Sequence, residues 1–379
     1  MMDPIKISEK LISFKSITPK SSGSIEYLTK ILKTKKFECT NFELGREKVK
    51  NLFAIYKGGQ GPTVCFAGHT DVVPIGDISG WDSNPFKPTI KNGAIFGRGA
   101  SDMKTAIASF ISAAFHFIST NSEFKGSICL LITTDEEGKA EFGTKKVVEW
   151  LIKKKQKVNF CIVGEPTNPN KIGEMIKIGR RGSLNGKIVV HGKQGHVAYP
   201  ELAKNPNDEV LKICEILKKP LNASTKFFQP SKVVITSIDV NNKVTNLIPT
   251  KAEIRFNVRF NDRLNSKEVI NLINSRLIKT KVKFKMRTSV SGESFRNYSR
   301  EFTTLLINSI KKLTKLTPSL TTSGGTSDAR FIAKLCPVLE FGSVGKTMHQ
   351  SNENVFIKDI ILLKDIYFEF LNNVFSDEI

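Results

Sequence analysis

Short apolar runs alternate with amphipathic stretches along the first half of the chain. The runs "TVCFAG", "SICLLITT" and "NFCIVG" favour buried strands. Between the first two, "MKTAIASFISAAFHFI" repeats apolar residues at helical spacing, from Met103 through Ile107 and Phe110 to Ala114. This alternation predicts an α/β domain whose sheet is mainly parallel.

The pattern changes at about residue 181. The stretches that follow are "LNGKIVVHG", "DEVLKICEILKK", "KVVITSIDV", "KAEIRFNVRF", "KEVINLINSRL" and "KVKFKMRTSV". They predict strand, helix, strand, strand, helix and strand, which is the order of a ferredoxin-like unit. After residue 293 the α/β pattern returns with "EFTTLLINSIKKL", "PVLEFG" and a last helix. We therefore expect a large domain interrupted by a small inserted one, with segments 1–180, 181–292 and 293–379.

Length and charge narrow the class of protein. A chain of 379 residues exceeds what one hydrophobic core normally organises, so two domains are expected. The net charge of +22 invites a nucleic-acid interpretation, but the lysines are spread along the chain and only "KKKQK" is dense. The sequence therefore disfavours nucleic-acid binding, and a positive field would instead help to gather an anionic small substrate.

The chain also lacks the patterns of a secreted or membrane protein. No apolar stretch approaches the roughly 20 residues that cross a bilayer, and the start "MMDPIKISEK" does not resemble a signal peptide. The 6 cysteines stand singly and form no CxxC pair, which is typical of buried thiols in a reducing compartment. We expect a cytoplasmic protein with no membrane partner.

Potential metal ligands follow each apolar run. In open α/β sheets, ligands bind beyond the carboxyl ends of the strands, so these side chains should share one rim. Carboxylates gathered there repel one another and need a positive partner. Arginine could serve, but histidines in the same set favour Zn²⁺, with Mn²⁺ or Co²⁺ as substitutes. The residues are His69, Asp71, Asp102, Glu136, Glu137, Glu165 and His349.

The spacing of His69 and Asp71 suggests how the imidazole is oriented. Residues two apart on a strand point to the same face, so the Asp71 carboxylate could accept the second N–H of His69. The turn-rich "PIGDISGWDSNPF" would then line the site as a loop. Alone, such a pair is more often a hydrogen-bonded surface feature, and only the combination of four strand ends favours metal.

Longer motifs resemble a known family. They are "GHTDVVPIGD", "GRGASDMK", "TTDEEG", "VGEPT", "GRRGS", "QGHVAYP", "TNLIP", "GGTSDARF" and "MHQSNE". Together they look like the aminoacylase and carboxypeptidase-like family of di-zinc amidohydrolases, over nearly the whole chain and in the expected order. The resemblance implies a di-zinc aminopeptidase-like catalytic domain with a ferredoxin-like α+β insertion that serves as lid and forms a homodimer.

The resemblance also implies a division of roles. Two Zn²⁺ ions per subunit would be bound, one by His69 and Glu165 and the other by Glu137 and His349, with Asp102 as the bridge. Asp71 would orient His69, and Glu136 would be the general base.

The inserted domain is expected to hold the substrate. In the family, the histidine that matches His196 reaches into the partner subunit's site and stabilises the oxyanion. Cationic groups and backbone N–H donors should surround an anionic acyl-amino acid. For the arginines, surface ion pairing is the alternative, and for "GGTS" an ordinary turn. The matching positions are Arg180, Arg181, Tyr199, Asn246, Arg259, Gly325 and Thr326.

The implied activity is hydrolysis of N-succinyl-LL-2,6-diaminopimelate to succinate and LL-2,6-diaminopimelate. The alternative is an acetylornithine deacetylase or another N-acyl amino acid amidohydrolase of the same family, because only the pocket would differ. A different alternative is a catalytically inactive relative that acts as a binding module. That alternative predicts missing metal ligands, and every expected ligand is present in the sequence.

Overall fold

A computed structural model describes residues 2–376, and the chain divides into two compact units. The first unit comprises Met1–Gly179, Asn297–Thr321 and Ser327–Ile379. The second comprises Arg180–Arg296 and Thr322–Thr326. In sequence, residues 180–296 of the second unit lie between the first and second segments of the first unit. Residues 322–326 lie between its second and third segments.

Regular structure covers most of both units. The helices, in chain order, are α1 (Pro4–Ser13), α2 (Ser24–Lys33), α3 (Thr105–Thr120), α4 (Thr144–Lys153), α5 (Pro206–Leu217), α6 (Ser266–Ile278), α7 (Arg300–Thr314), α8 (Ala329–Ile332) and α9 (Ile357–Phe375). Short 3₁₀ turns lie at Ile78–Gly80 and Pro200–Leu202. Among residues 2–376, no helix has both the length and the apolar content that a membrane span requires.

Both units contain long and short strands. In chain order they are β1 (Glu38–Leu44), β2 (Val49–Lys57), β3 (Thr63–His69), β4 (Thr89–Lys91), β5 (Ala94–Phe96), β6 (Ser127–Thr133), β7 (Phe160–Val163), β8 (Met175–Lys177), β9 (Gly179–Arg180), β10 (Gly182–His191), β11 (Gly195–His196), β12 (Lys232–Asp239), β13 (Leu247–Ile248), β14 (Lys251–Phe260), β15 (Phe284–Gly292), β16 (Phe295–Arg296), β17 (Ser319–Thr321), β18 (Val338–Glu340) and β19 (Asn354–Phe356).

The first unit is built on a mixed sheet with a parallel centre. The strand order is β1-β2-β6-β3-β7-β18-β8-β17, and β6, β3, β7 and β18 run parallel to their neighbours in this group. Their side chains are buried along their whole length, as expected of a parallel sheet that is covered on both faces. Phe66 of β3 stacks on Phe110 of α3 at 4.5 Å between ring centroids. The predicted α/β fold is confirmed.

The second unit contains a four-stranded antiparallel sheet in the order β12-β14-β10-β15. The helices α5 and α6 connect its strands, so the chain follows the strand, helix, strand, strand, helix, strand order that the sequence predicts. Apolar residues of the sheet and of both helices form one core. Gly186 fits this core because a Cβ there would lie 2.0 Å from the Phe256 ring.

Candidate metal centre

The predicted ligands lie beyond the carboxyl ends of adjacent parallel strands in the first unit. The strand β3 ends at His69, and Glu136 and Glu137 follow β6. Glu165 follows β7, and His349 lies in the loop after β18. Because these four strands are neighbours in the order β6-β3-β7-β18, the loops that follow them meet at one edge of the sheet.

His69 presents one ring nitrogen to this edge. It is 1% exposed, and its Nδ1 lies 2.9 Å from the backbone oxygen of Asp71. A carbonyl oxygen only accepts, so Nδ1 carries the proton and donates it there. The lone pair of the neutral ring is therefore on Nε2, which is the atom that can bind a metal.

The expectation that the Asp71 carboxylate accepts this N–H is wrong. Asp71 Oδ1 lies 3.7 Å from His69 Nδ1, beyond hydrogen-bond distance. The reason is that β3 ends at His69, so Asp71 no longer follows the alternation of a strand. Its carboxylate instead accepts the backbone N–H of Glu136 at 3.1 Å and of Glu137 at 3.1 Å. Burial raises the pKa of Asp71 to about 6, against the lowering effect of His69.

Asp102 stands between the two histidines. Its Oδ1 lies 3.1 Å from His69 Nε2, and its Oδ2 lies 3.3 Å from His349 Nε2. Burial would raise the pKa of the Asp102 carboxyl, but the hydrogen bonds from His349 and His69 lower it overall. Each oxygen of one buried carboxylate thus faces a different imidazole, which is the arrangement of a bridging ligand.

The remaining groups complete two adjoining sets of donors. His349 Nε2 lies 2.9 Å from Glu137 Oε1, and His69 Nε2 lies 3.9 Å from Glu165 Oε1. Hydrogen bonds with Asp102 and Glu137 raise the pKa of His349 to about 10. Burial would lower the pKa of His69, yet Asp102 raises it well above its ordinary value. Protons on the two imidazoles therefore offset part of the carboxylate charge.

These residues fit divalent cations. The ligand atoms of His69, Asp102 and Glu137 lie within 4.8 Å of one another, and so do those of His69, Glu136 and Glu165. Five carboxylates and two imidazoles at one edge carry more negative charge than the histidines can neutralise, so two cations suit the set. Glu136, predicted to be the base, falls inside the second group, and burial together with Glu165 raises its pKa well above its ordinary value.

Three residues that stabilise the loops around the site were not predicted from the sequence. Arg98 and Glu353 form a buried ion pair at 2.8 Å. Asp135 accepts backbone N–H groups of Ala140, Glu141 and Phe142 at 2.9–3.1 Å and so closes the loop after Glu137. All three lie inside the quoted motifs "GRGASDMK", "MHQSNE" and "TTDEEG". Ionisable residues next to proposed ligands were the available signal.

The predicted catalytic residue His196 and two of the predicted substrate residues, Tyr199 and Asn246, lie together in the second unit. His196 ends β11, which pairs with β13, and the oxygen of Asn246 accepts the N–H of Val197 at 3.2 Å. The Tyr199 ring centroid lies 6.0 Å from that of His196. All three residues are exposed. This part of the second unit therefore presents an imidazole, a phenol and an amide on its surface.

A second group in the same unit gathers around Arg180. Its Nη1 donates to the oxygens of Ser323 and Gly325 at 3.3 and 3.2 Å, which brings the "GGTS" loop and Thr326 near this strand. Arg181 donates to Gln229 Oε1 at 3.2 Å. Arg259 lies on β14, opposite Ser183 of β10, and is half-buried.

Sequence comparison identifies the class. Residues 65–373 match peptidase family M20/M25/M40, and the chain belongs to this family. Curated relatives include succinyl-diaminopimelate desuccinylases from Pelagibacter ubique (49% identical, covering 98% of this chain and 98% of the relative) and from Wolbachia pipientis wMel (46%, covering 99% and 94%).

Solved structures share the fold. An M20 family metallo-carboxypeptidase from Sulfolobus solfataricus superposes with a TM-score of 0.80 at 18% identity, covering 99% of each chain. A dinuclear metal-binding peptidase of the M20 family from Bacillus subtilis superposes with a TM-score of 0.71 at 16% identity, covering 99% of this chain and 98% of the other. At these identities the likeness concerns the fold alone.

Proposed function

We propose that this chain hydrolyses N-succinyl-LL-2,6-diaminopimelate to succinate and LL-2,6-diaminopimelate. The observation that carries the proposal is 42–49% identity, along 97–99% of the chain, to relatives named for this reaction. The carboxylates and imidazoles gathered at the rim of the first unit support the proposal. The reaction is a step in the synthesis of diaminopimelate and of lysine.

Two Zn²⁺ ions are the proposed cofactors, with Co²⁺ or Mn²⁺ as substitutes. His69 and Glu165 would hold one ion, Glu137 and His349 the other, and Asp102 would bridge them. The support is that the two Asp102 oxygens face different imidazoles and that the Nδ1 proton of His69 is fixed by the Asp71 oxygen. The ions would supply Lewis-acid activation of water and of the scissile amide carbonyl.

Glu136 is the proposed general base. The backbone N–H groups of Glu136 and Glu137 both donate to the Asp71 carboxylate. These bonds fix the backbone of the two glutamates after β6. The raised pKa of Glu136 suits a group that accepts a proton from water and returns it to the departing nitrogen. Water would add to the carbonyl carbon and give a tetrahedral oxyanion, and the C–N bond would then break as Glu136 passes the proton to the departing amine nitrogen.

Substrate recognition is proposed for the second unit. N-succinyl-diaminopimelate carries three carboxylates, so arginines and backbone N–H groups are the matching partners. Arg180, Arg181 and Arg259 are the candidate cations, and Gly325 and Thr326 the candidate backbone donors. The proximity of Arg180 to Gly325 supports a common role for these two motifs.

A homodimer through the second unit is part of this proposal. The exposed imidazole of His196 would complete the site of a second copy and stabilise the oxyanion, with Tyr199 and Asn246 beside it. Its support is the exposure of all three residues and their closeness around β11 and β13. A cytoplasmic location belongs to the same proposal.

The competing function is deacetylation of N-acetylornithine or hydrolysis of another N-acyl amino acid. The metal residues would be the same, so the acyl group decides between the two. A purified protein should be assayed with N-succinyl-LL-2,6-diaminopimelate and with N-acetylornithine, each with and without a chelator. We expect kcat/KM to favour the succinyl substrate by at least about 100-fold, since a site built for a carboxylate rejects an acyl group that lacks it. A preference for acetylornithine would overturn the proposal.

A further inference from the structure

A buried ion pair lies behind the proposed metal residues. Arg98 is 2% exposed and Glu353 is 1% exposed, and Arg98 Nη1 lies 2.8 Å from Glu353 Oε2. The two residues are 255 positions apart in sequence. Both side chains bond to each other and to backbone groups, and the proposed chemistry assigns them no part. Burying a pair of charges costs desolvation free energy unless further hydrogen bonds compensate for it. The hydrogen-bond partners of the pair therefore show which segments it connects.

The Glu353 carboxylate is bonded on both oxygens to the segment that carries Asp102. Its Oε1 accepts the backbone N–H of Ser101 at 2.8 Å and of Asp102 at 3.0 Å. Its Oε2 accepts the backbone N–H of Gly99 at 3.0 Å in addition to Arg98. Asp102 has non-helical angles, φ −124° and ψ 93°, just before α3 begins. The Glu353 carboxylate thus fixes the backbone conformation at Asp102, the proposed bridging ligand.

The Arg98 guanidinium is bonded to the segment that carries His349. It donates to the oxygen of Gln350 at 3.2 Å and to the oxygen of His349 at 3.5 Å. His349 has a φ of 62°, a left-handed conformation that a non-glycine residue keeps only when its surroundings enforce it. The guanidinium also donates to the oxygen of Pro74 at 3.3 Å, in the loop beyond Asp71.

We propose that the Arg98–Glu353 pair is a positioning element that fixes the Asp102 and His349 backbones relative to each other and thereby sets the affinity of the metal centre. Asp102 Oδ2 and His349 Nε2 lie 3.3 Å apart, and one cation would sit against both. Without the pair, the repulsion among the carboxylates would move these loops apart before a metal binds. This inference rests on the proposed metal site of the enzyme.

Two substitutions test the pair. Glu353→Gln keeps the shape but has one acceptor oxygen where four donors converge, so it cannot satisfy all of them. Arg98→Lys keeps the charge but loses the planar fork that reaches several carbonyl oxygens at once. The readouts are Zn²⁺ affinity by chelator competition, the visible spectrum of the Co²⁺-substituted protein, and the melting temperature of the metal-free protein. Groups that orient metal ligands contribute roughly 10- to 100-fold in affinity, and we expect this loss for at least one of two ions.

Val355→Ala is the matched control. Val355 is 3% exposed, lies two residues after Glu353 and packs with Ala100 and Ile95, but its side chain makes no polar bond. It should lower the melting temperature and leave Zn²⁺ affinity within about twofold, because a core cavity affects stability without reorienting ligands. Equal loss of affinity in Val355→Ala and in the pair variants would overturn the inference, since general destabilisation would then explain it.

The outcomes separate this inference from the proposed function. A parent protein that binds no Zn²⁺ contradicts the proposed metalloenzyme itself. A parent that binds two ions while a folded Glu353→Gln or Arg98→Lys variant binds them equally well contradicts the positioning role alone. If Glu353→Gln does not fold, Arg98→Lys decides the question, because it retains the charge that compensates Glu353.

Discussion

The two units hold their candidate functional residues in opposite ways. In the first unit His69, Asp102 and Glu165 are buried, although His349 is exposed. His69 donates to the Asp71 backbone oxygen, and the Asp71 carboxylate accepts the N–H groups of Glu136 and Glu137. In the second unit the side chains of His196, Tyr199 and Asn246 are exposed, and the pairing of β11 with β13 holds the backbone that carries them. The proposed metal site would therefore use side chains that are already gathered at one rim, whereas the proposed substrate residues are surface side chains.

The largest effect should come from Glu136. Replacing it with Gln removes the base while preserving its size, so kcat should fall by about 10²- to 10⁴-fold with bound metal unchanged. Steady-state kinetics and metal analysis test this. Glu141→Gln, an exposed glutamate of the same loop, is the control and should remain as active as the parent. A fully active Glu136→Gln variant would sink the assignment of the base.

His196 tests the second unit. His196→Ala should lower kcat by roughly 10²- to 10³-fold if this imidazole is an oxyanion donor, with the melting temperature unchanged because the side chain is exposed. His191→Ala, at an exposed strand position of the same unit, should have no effect on kcat. Equal behaviour of the two variants would reduce His196 to a surface residue.

Asp71 tests whether the rim is held as described. Asp71→Asn keeps one acceptor oxygen for the N–H groups of Glu136 and Glu137 but removes the charge, so we expect roughly 10-fold weaker metal binding. Chelator competition measures it. Glu43→Gln, an exposed carboxylate at the far edge strand, is the comparison and should bind metal like the parent.

The metal-free rim predicts a particular dependence of stability on pH. His349 has a pKa of about 10 in the folded protein, above its ordinary value of 6.5. A raised pKa contributes stability that is complete below about 6.5 and lost as the pH rises through about 10. The melting temperature of the metal-free protein should therefore fall over this window, and less so in a His349→Asn variant.

Metal binding should release protons and strengthen as the pH rises. A pH-independent metal affinity would contradict the proton balance of the two imidazoles.

Tyr199 should show the smallest effect. Its side chain is 58% exposed, and one hydrogen bond to substrate contributes about 1 kcal/mol. Tyr199→Phe should thus raise KM about fivefold and leave kcat and metal content unchanged. Tyr298→Phe, at another exposed tyrosine, serves as the control, and a matching rise in KM there would remove the support for a specific contact.

Periodicity in the sequence predicted the fold because it reflects burial directly. The fully buried runs of β3, β6 and β7 and the alternation in β14 follow from which faces pack, and that information is local. The strand-end positions of His69, Glu136 and Glu165 were predictable for the same reason.

Contacts between distant segments were not predictable. The hydrogen-bond acceptor of His69 depends on β3 ending at His69, two residues before Asp71. The sequence does not mark the exact end of a strand. Glu353 reaches Asp102 across 251 residues, so no local pattern could pair them. The hydrogen bonds from backbone N–H groups to Glu353 could not be predicted either, because every residue except proline carries that donor.

The most direct test of the account is the anomalous difference map of crystals grown with Zn²⁺. It should contain two peaks at the rim of the first unit, one against His69 and Glu165 and the other against Glu137 and His349, with Asp102 touching both. A map without density there, or with a single peak away from Asp102, would contradict the dinuclear centre on which the proposed hydrolysis depends.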